Sequence, residues 1–154
     1  RTALYLLNNI LGGPGMNSRL NVALRERSGL VYNVEANLTS YTDTGIFCIY
    51  FGTDPKHIER CLRLVHKELK RLREQPLSSS QFRPAQKQII GQIGVACDNF
   101  ENKALDMAKT FLHYDKFEGP EGVFQRIEKL TPHDLWKVAN EMFDENDLST
   151  LIYS

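Results

Sequence analysis

The sequence predicts an α+β fold, in which an antiparallel sheet has helices packed mainly on one face, and three observations indicate this class. Residues 30–41 alternate between apolar and polar side chains, and a second apolar run follows at once, which is typical of a β-hairpin. Several later segments repeat apolar residues at helical spacing. These strands and helices do not alternate regularly, as they would in a protein built from βαβ units.

The length and charge of the chain limit its domain count and its partners. At 154 residues, it is predicted to form a single domain (residues 1–154) with one hydrophobic core. With 19 basic and 19 acidic residues, it has no net charge that would attract nucleic acid or an anionic membrane. The apolar runs are too short to cross a bilayer, and no signal peptide is evident. We therefore expect a soluble protein with no nucleic-acid partner and no membrane insertion.

The opening residues predict a helix that ends at Gly12 and Gly13, because glycine readily adopts the left-handed conformation that closes a helix. Helical spacing is present from the first turn, and the chain starts with arginine, so we expect a fragment of a longer protein. Asn17 or Ser18 can cap a second helix. Gly29 is predicted to end that helix.

Two strands are expected next. Residues 30–41 predict a half-buried strand with Leu30, Tyr32 and Val34 on its apolar side. Residues 42–45 have turn chemistry, with Thr42 as the first of them. The run GIFCIYFGT that follows is continuously apolar and aromatic, which predicts a central strand covered on both faces.

The remaining elements are predicted to be mainly helical. Asp54 before Pro55 indicates a helix start, and leucines continue the stripe through KELKRLRE, whose charges we place on a solvated outer face. A second helix runs from about residue 81 into the nineties, with Pro84 in its first turn. Further helices are expected at residues 102–113, around residues 123–130, and from Thr131 onward. Residues 148–153 predict a closing strand.

Metal and redox chemistry find little support in the sequence. The three cysteines are far apart and lie in apolar patterns, which indicates buried free thiols: Cys48, Cys61 and Cys97. The four histidines lack the spacing that places two imidazoles on one helical face: His57, His66, His113 and His133. The loop GGPGMNSRL is rich in glycine, but it lacks the lysine of a P-loop and joins two helices. We therefore predict neither a metal site nor a phosphate site.

The stretch LRERSGLVYNV, residues 24–34, has a structural and a functional interpretation. In the structural one, Arg25 complements the dipole at a helix end, and Tyr32 packs on the apolar side of its strand. In the functional one, a helix end and a strand start that meet at Gly29 bring the guanidinium and the phenol to one edge of the fold. Both groups could then donate hydrogen bonds to a developing oxyanion. Spacing alone leaves both interpretations open.

The segments LNNILGGPGMNSRL, LRERSGLVYNV and SYTDTGIFCIYFGT, in this order and spacing, resemble the C-terminal homologous half of the pitrilysin/insulinase family. These are zinc peptidases with an inverted HxxEH motif, and they include mitochondrial processing peptidase and bacterial relatives. The resemblance extends through RIEKLTPHDLWKVANEMF to the closing strand. It implies that the chain is one half of a clamshell peptidase unit and that the first strands of this half are missing.

The resemblance also implies a function. In this family, an N-terminal half binds zinc through HxxEH and a downstream glutamate, so no cofactor is expected in this chain and the zinc half is its expected partner. The arginine and tyrosine of the R-x6-Y pattern match Arg25 and Tyr32, and they engage the peptide substrate near the scissile carbonyl. The chain would then be the substrate-binding and transition-state-supporting half of a zinc metalloendopeptidase that cleaves peptides in a closed chamber.

Alternatives within the family remain. The parent protein could be a recognition or structural subunit that has lost catalysis, and an exposed sheet edge could support a homodimer. By itself, the chain is expected to be inactive, because it has no zinc motif. A cytoplasmic location is expected, with the periplasm and the mitochondrial matrix as alternatives.

Overall fold

The computed structural model describes residues 2–41, 43–115 and 119–153, so that Arg1, Thr42 and the side chain of His113 lie outside the described part. The elements in chain order are α1 (Thr2–Gly12), a π-helical turn (Asn21–Glu26, the π turn), β1 (Val31–Ser40), β2 (Gly45–Thr53), α2 (Ile58–Glu74), α3 (Ser79–Cys97), α4 (Phe100–Tyr114), α5 (Pro120–Glu128) and α6 (Pro132–Met142), with 3₁₀ turns at Pro55–His57 and Glu145–Asp147. Helices and an antiparallel pair of strands confirm the predicted α+β class.

The sheet is the predicted hairpin, and its two faces differ. β1 and β2 pair antiparallel, with Val34 opposite Phe51 and Ala36 opposite Ile49 on the inner face. These residues pack in or against the core. The outer face of β2 is exposed, so the prediction that this strand is covered on both faces is wrong. An alternating burial pattern replaces the expected continuous one, because the helices pack on one side of the hairpin.

The core lies between the inner face of the hairpin and helices α1, α2 and α6. α2 contributes its predicted apolar stripe, and three leucines of α1 and one of the π turn are fully buried: Leu6, Leu7, Leu11 and Leu24. α1 packs so tightly on β1 that a Cβ on Gly12 would lie 2.6 Å from the backbone nitrogen of Ala36. This close approach brings the C-terminal end of α1 and the middle of β1 together.

Two predicted burials are reversed. Cys48 lies on the exposed outer face of β2, whereas Cys61 is buried and Cys97 is half-buried; all three are free thiols.

Glu68 of α2 was expected on a solvated face but is buried, and its carboxylate lies 2.6 Å from Arg71 and 3.8 Å from Arg19. Burial lowers the pKa of Arg19, although Glu68 opposes this shift. A cation on each side of the buried carboxylate explains why it is tolerated there.

The sequence predicted Pro84 in the first turn of its helix, and this prediction is wrong. Ser78 is the N-cap, and its backbone N–H donates to Gln81 at 3.2 Å, so α3 begins at Ser79 and Pro84 lies inside it. Because proline has no N–H, it cannot donate to the carbonyl of Ser80.

The closing strand predicted at residues 148–153 does not form. Leu148 packs against the core, but the segment pairs with no strand in the described chain, and its last three residues are exposed: Leu151, Ile152 and Tyr153. Leu148 itself has extended torsion angles. A strand also needs a neighbour, which the pattern cannot supply.

Candidate functional site

Arg25 lies in the π turn, between α1 and β1. The backbone is already helical where the Val22 N–H donates to the Ser18 carbonyl at 2.9 Å. The Arg27 N–H then donates to the Val22 carbonyl at 3.0 Å, which is the longer bond of a π-helix. A π turn alters the direction of the side chains that follow it, and such turns are frequent at functional sites. The predicted second helix therefore exists, but it is irregular where it carries Arg25.

Gly29 ends this helix, as predicted. Its φ of +57° lies in the left-handed region, and a Cβ at this position would meet nothing within 4 Å. The requirement for glycine is therefore conformational rather than steric. The Gly29 N–H donates to the Arg25 carbonyl and the Leu30 N–H to the Leu24 carbonyl, both at 2.9 Å. These bonds fix the direction in which the chain enters β1.

The Arg25 side chain is partly exposed and has a single neighbouring partner in the described chain. Its Nε donates to the Glu26 carboxylate at 3.2 Å, and about 36% of the side chain is exposed. The two terminal nitrogens have no partner among the described residues. Arg25 is also the basic residue in the last turn of its helical segment, as the structural interpretation expected. Its terminal N–H groups nevertheless stay available to a ligand.

Tyr32 does not lie on the apolar side of its strand, so this part of the structural interpretation is wrong. Val31 pairs with Thr53 and Asn33 pairs with Gly52, which makes Tyr32 the extra residue of a β-bulge. Val31 takes the buried position, and Tyr32 is 74% exposed. A bulge re-aims the side chains around it, and an alternating pattern cannot reveal where one occurs.

The phenol of Tyr32 donates a hydrogen bond to Asp54 Oδ1 at 2.9 Å. This bond, together with the charge of Asp54, raises the pKa of Tyr32 above its usual value. Asp54 is the N-cap residue of the Pro55–His57 turn, but its carboxylate makes no capping bond there. The other carboxylate oxygen lies 4.0 Å from Lys56 Nζ. The contact therefore favours the protonated form of Tyr32 over the phenolate.

A cleft of about 370 Å³ lies beside Arg25, between the C-terminal half of α1, the π turn and residues 33–37 of β1. We call it the asparagine cleft, because its lining includes Asn8, Asn9, Asn21, Asn33 and Asn37. Arg25 lines this cleft, whereas Tyr32 lies outside its lining. The two candidate donors therefore have different partners in this structure, Glu26 for one and Asp54 for the other.

The described residues offer no group of three or more His, Cys, Asp or Glu side chains that could hold a metal ion. No helix among them is both long and apolar enough to cross a membrane.

Comparison of the sequence with protein-family profiles identifies the family of this chain. The sequence profile of the peptidase M16 inactive domain matches residues 1–89. The chain belongs to this family. The resemblance seen in the sequence is thereby confirmed, and the matched region of the M16 domain contains both Arg25 and Tyr32.

Individual relatives agree with this assignment. This chain is 31% identical to an uncharacterized zinc protease of Rickettsia bellii, over 93% of this chain and 34% of the relative. It is 26% identical to the β subunit of mitochondrial processing peptidase from Saccharomyces cerevisiae, over 89% of this chain and 30% of that subunit. The chain thus spans about a third of the length of these relatives.

Solved structures share the fold of the M16 domain. A protease from Helicobacter pylori superimposes with a TM-score of 0.82, covering 94% of this chain and 35% of that protein. The sequence identity of 20% makes this evidence for the fold alone.

Two features of the site were not predicted from the sequence. Asp54 was interpreted as a helix cap, yet its carboxylate binds Tyr32 instead. The asparagines of the cleft are distributed over α1, the π turn and β1, so nothing in their spacing groups them. The segment GTDP, which places an acid directly after a strand, was the available signal for Asp54.

Proposed function

We propose that this chain is the substrate-binding and transition-state-supporting half of a zinc metalloendopeptidase. The observation that carries the proposal is the exposed phenol of Tyr32, which the bulge turns away from the core within a family of zinc proteases. A core tyrosine would need no such irregularity. Arg25, on the other side of Gly29, has a partly exposed guanidinium, which also supports the proposal.

The other half of the enzyme would lie in the rest of a longer protein or in a partner subunit. It would carry HxxEH and a downstream glutamate, and this chain would close over it to form the chamber. Two facts support this arrangement: the chain spans about a third of its relatives, and those relatives are zinc proteases and processing peptidase subunits. Zinc chemistry, which polarises a carbonyl and activates water, would be supplied by that half.

The residues of this chain would act by donating hydrogen bonds. The terminal N–H groups of Arg25 would hold the substrate backbone beside the scissile bond. The hydroxyl of Tyr32 would leave Asp54 and donate to the oxygen that gains charge in the tetrahedral intermediate.

Two matched substitutions in the intact protein test the proposal. Arg25→Ala and Tyr32→Phe should each lower kcat about 10²–10³-fold, as loss of one oxyanion donor does. Arg27→Ala and Tyr50→Phe are suitable controls, since both side chains are exposed and neither lines the asparagine cleft. Turnover that is unchanged in both test variants would exclude the proposed role.

A second candidate is a non-catalytic recognition or structural subunit of the same family. It is favoured by the similarity to the rat mitochondrial processing peptidase α subunit, which is 26% identical over 85% of this chain. The two candidates differ in whether the other half carries the zinc-binding HxxEH motif. Sequencing the gene on either side of this segment, and that of any copurifying subunit, would decide between them, because only the peptidase needs HxxEH.

A further inference from the structure

A buried polar pair lies at the start of the π turn. Three polar or charged side chains are buried among the described residues, and two of them belong to this segment: Ser18, at 4% exposure, and Asn21, at 7%. Asn21 Nδ2 donates to Ser18 Oγ at 3.0 Å. Burial of an amide and a hydroxyl costs free energy unless they form hydrogen bonds, so this contact requires a defined distance and direction.

Ser18 also holds the backbone on both sides of it. Its N–H donates to the Gly15 carbonyl at 3.0 Å, and its carbonyl accepts from the Val22 N–H at 2.9 Å. Ser18 therefore bonds to the loop before it, to the first helical turn after it, and to the side chain of Asn21. These three bonds fix the place where the π turn begins.

The other end of the segment is fixed as well. The Gly29 N–H donates to the Arg25 carbonyl, and the Leu30 N–H donates to the Leu24 carbonyl, both at 2.9 Å. Leu20 and Leu24 are fully buried in the core. Because both ends are held and the leucines are packed, the backbone between them closes with the longer i→i+5 bond of a π-helix.

The change from α-helical to π-helical bonding takes place at Val22, directly after Asn21. The Val22 N–H donates to the residue four positions before it, whereas the Val22 carbonyl accepts from Arg27, five positions after it, at 3.0 Å. Side chains beyond this point are rotated relative to their places in a regular α-helix. Arg25 is one of them, and it lines the asparagine cleft together with Asn21. The direction of its guanidinium therefore depends on where the bonding changes.

We propose that Ser18 and Asn21 are positioning residues, which hold the π turn in register and thereby keep Arg25 at the asparagine cleft. The effect on turnover rests on the proposed function. Neither side chain needs to touch the substrate, because each acts through the backbone that carries Arg25. An apolar pair of similar size would fill the same space, but it would not require one distance and direction, so it would not select one register.

Substitution of either partner in the intact protein tests this role. Ser18→Ala and Asn21→Leu should each lower kcat by up to about 10²-fold, the effect of misplacing a substrate-positioning group by about 1 Å. In the Arg25→Ala background, either substitution should cause no further loss, since the group that it positions is absent. A merely structural defect would lower turnover in both backgrounds.

Ile127→Val is the control for stability, because Ile127 is fully buried in α5, outside the π turn. It should destabilise the fold through the loss of a buried methyl group. Its kcat per folded molecule, with the folded fraction measured by circular dichroism, should nevertheless equal that of the native protein.

The hydrogen bond between Arg27 and Val22 gives a readout that does not depend on activity. In the isotope-labelled intact protein, NMR detects the scalar coupling between the Arg27 nitrogen and the Val22 carbonyl carbon across this bond. The coupling should be present in the native protein and in Ile127→Val. It should be lost in Ser18→Ala and in Asn21→Leu.

The outcomes separate this inference from the proposed function. If both variants keep the native coupling, or if they lower kcat equally with and without Arg25, the positioning role is overturned. If Arg25→Ala itself leaves kcat unchanged, the proposed function is rejected. Loss of the coupling in Ser18→Ala and Asn21→Leu would then still support their hold on the π turn.

Discussion

Arg25 and Tyr32 lie on either side of Gly29, and the two sides of this glycine are built differently. On the helical side, the neighbour of Arg25 is Leu24, which is fully buried, and backbone hydrogen bonds close the turn. On the strand side, Tyr32 projects from a bulge and is held by a single bond to Asp54. The difference indicates that Arg25 is positioned by the fold, whereas Tyr32 can change its partner at small cost.

The largest expected effect on stability concerns the packing that positions Arg25. Leu24→Ala should lower the free energy of unfolding by about 2–5 kcal/mol, because it leaves a cavity in the core beside the π turn. Urea unfolding of the intact protein measures this change. The adjacent Arg25→Ala serves as the comparison and should shift the midpoint far less. Equal losses in both variants would contradict a ligand-facing role for Arg25.

Gly29 links the two sides, and its substitution should have the next largest effect. Gly29→Ala should cost about 1–2 kcal/mol, because alanine is strained at positive φ even though the site has space for a Cβ. Thermal unfolding would show this cost. A variant as stable as the native protein would mean that the connection is not held in the left-handed conformation.

The bulge predicts a contrast between two adjacent residues of β1. Val31→Ala should lower the unfolding midpoint clearly, since Val31 is buried in the core. Tyr32→Phe should lower the midpoint far less, because the ring is exposed and the variant loses only one solvent-exposed hydrogen bond, the one to Asp54. The order of the two effects would be reversed if the strand followed the regular alternation expected from the sequence.

The smallest effect concerns the titration of Tyr32. Asp54→Asn should lower the pKa of Tyr32 towards its usual value, because the hydrogen bond to the carboxylate and its charge both favour the protonated phenol. The native contact therefore stabilises the fold below the usual tyrosine pKa and is lost as the pH rises through the raised value.

NMR titration of ¹³C-labelled tyrosine would measure this shift. Asp134→Asn is a suitable control: Asp134 accepts hydrogen bonds from Thr131 at the start of α6 and makes no bond to Tyr32 in the described structure. A titration curve of Tyr32 that is the same in Asp54→Asn and in the native protein would refute the contact.

The sequence predicts well those features that depend on local pattern. The stop at Gly29, the hairpin and the stripe of α2 follow from torsion preferences and periodicity, and the structure contains all three. Features that depend on one extra residue were not predictable. The π turn and the bulge each displace side chains without changing composition, and so the orientation of Tyr32 was predicted incorrectly.

Contacts between side chains that lie far apart in the sequence were not predictable either. The bond from Tyr32 to Asp54 joins β1 to the residue that follows β2, beside the bulge that shifts the register. Buried Glu68 is flanked by Arg71 of its own helix and by Arg19, which lies far away in sequence. In both cases, the local pattern identifies the element but not the neighbour that gives the side chain its environment.

The π turn has a practical consequence for protein engineering. Removing one residue from Asn21–Glu26 would convert this segment to a regular α-helix, and the better hydrogen-bond geometry should raise its thermal stability. The same deletion would rotate Arg25 away from the asparagine cleft. Consensus design at this segment should therefore treat the irregular turn as a fixed element and seek added thermostability elsewhere in the chain.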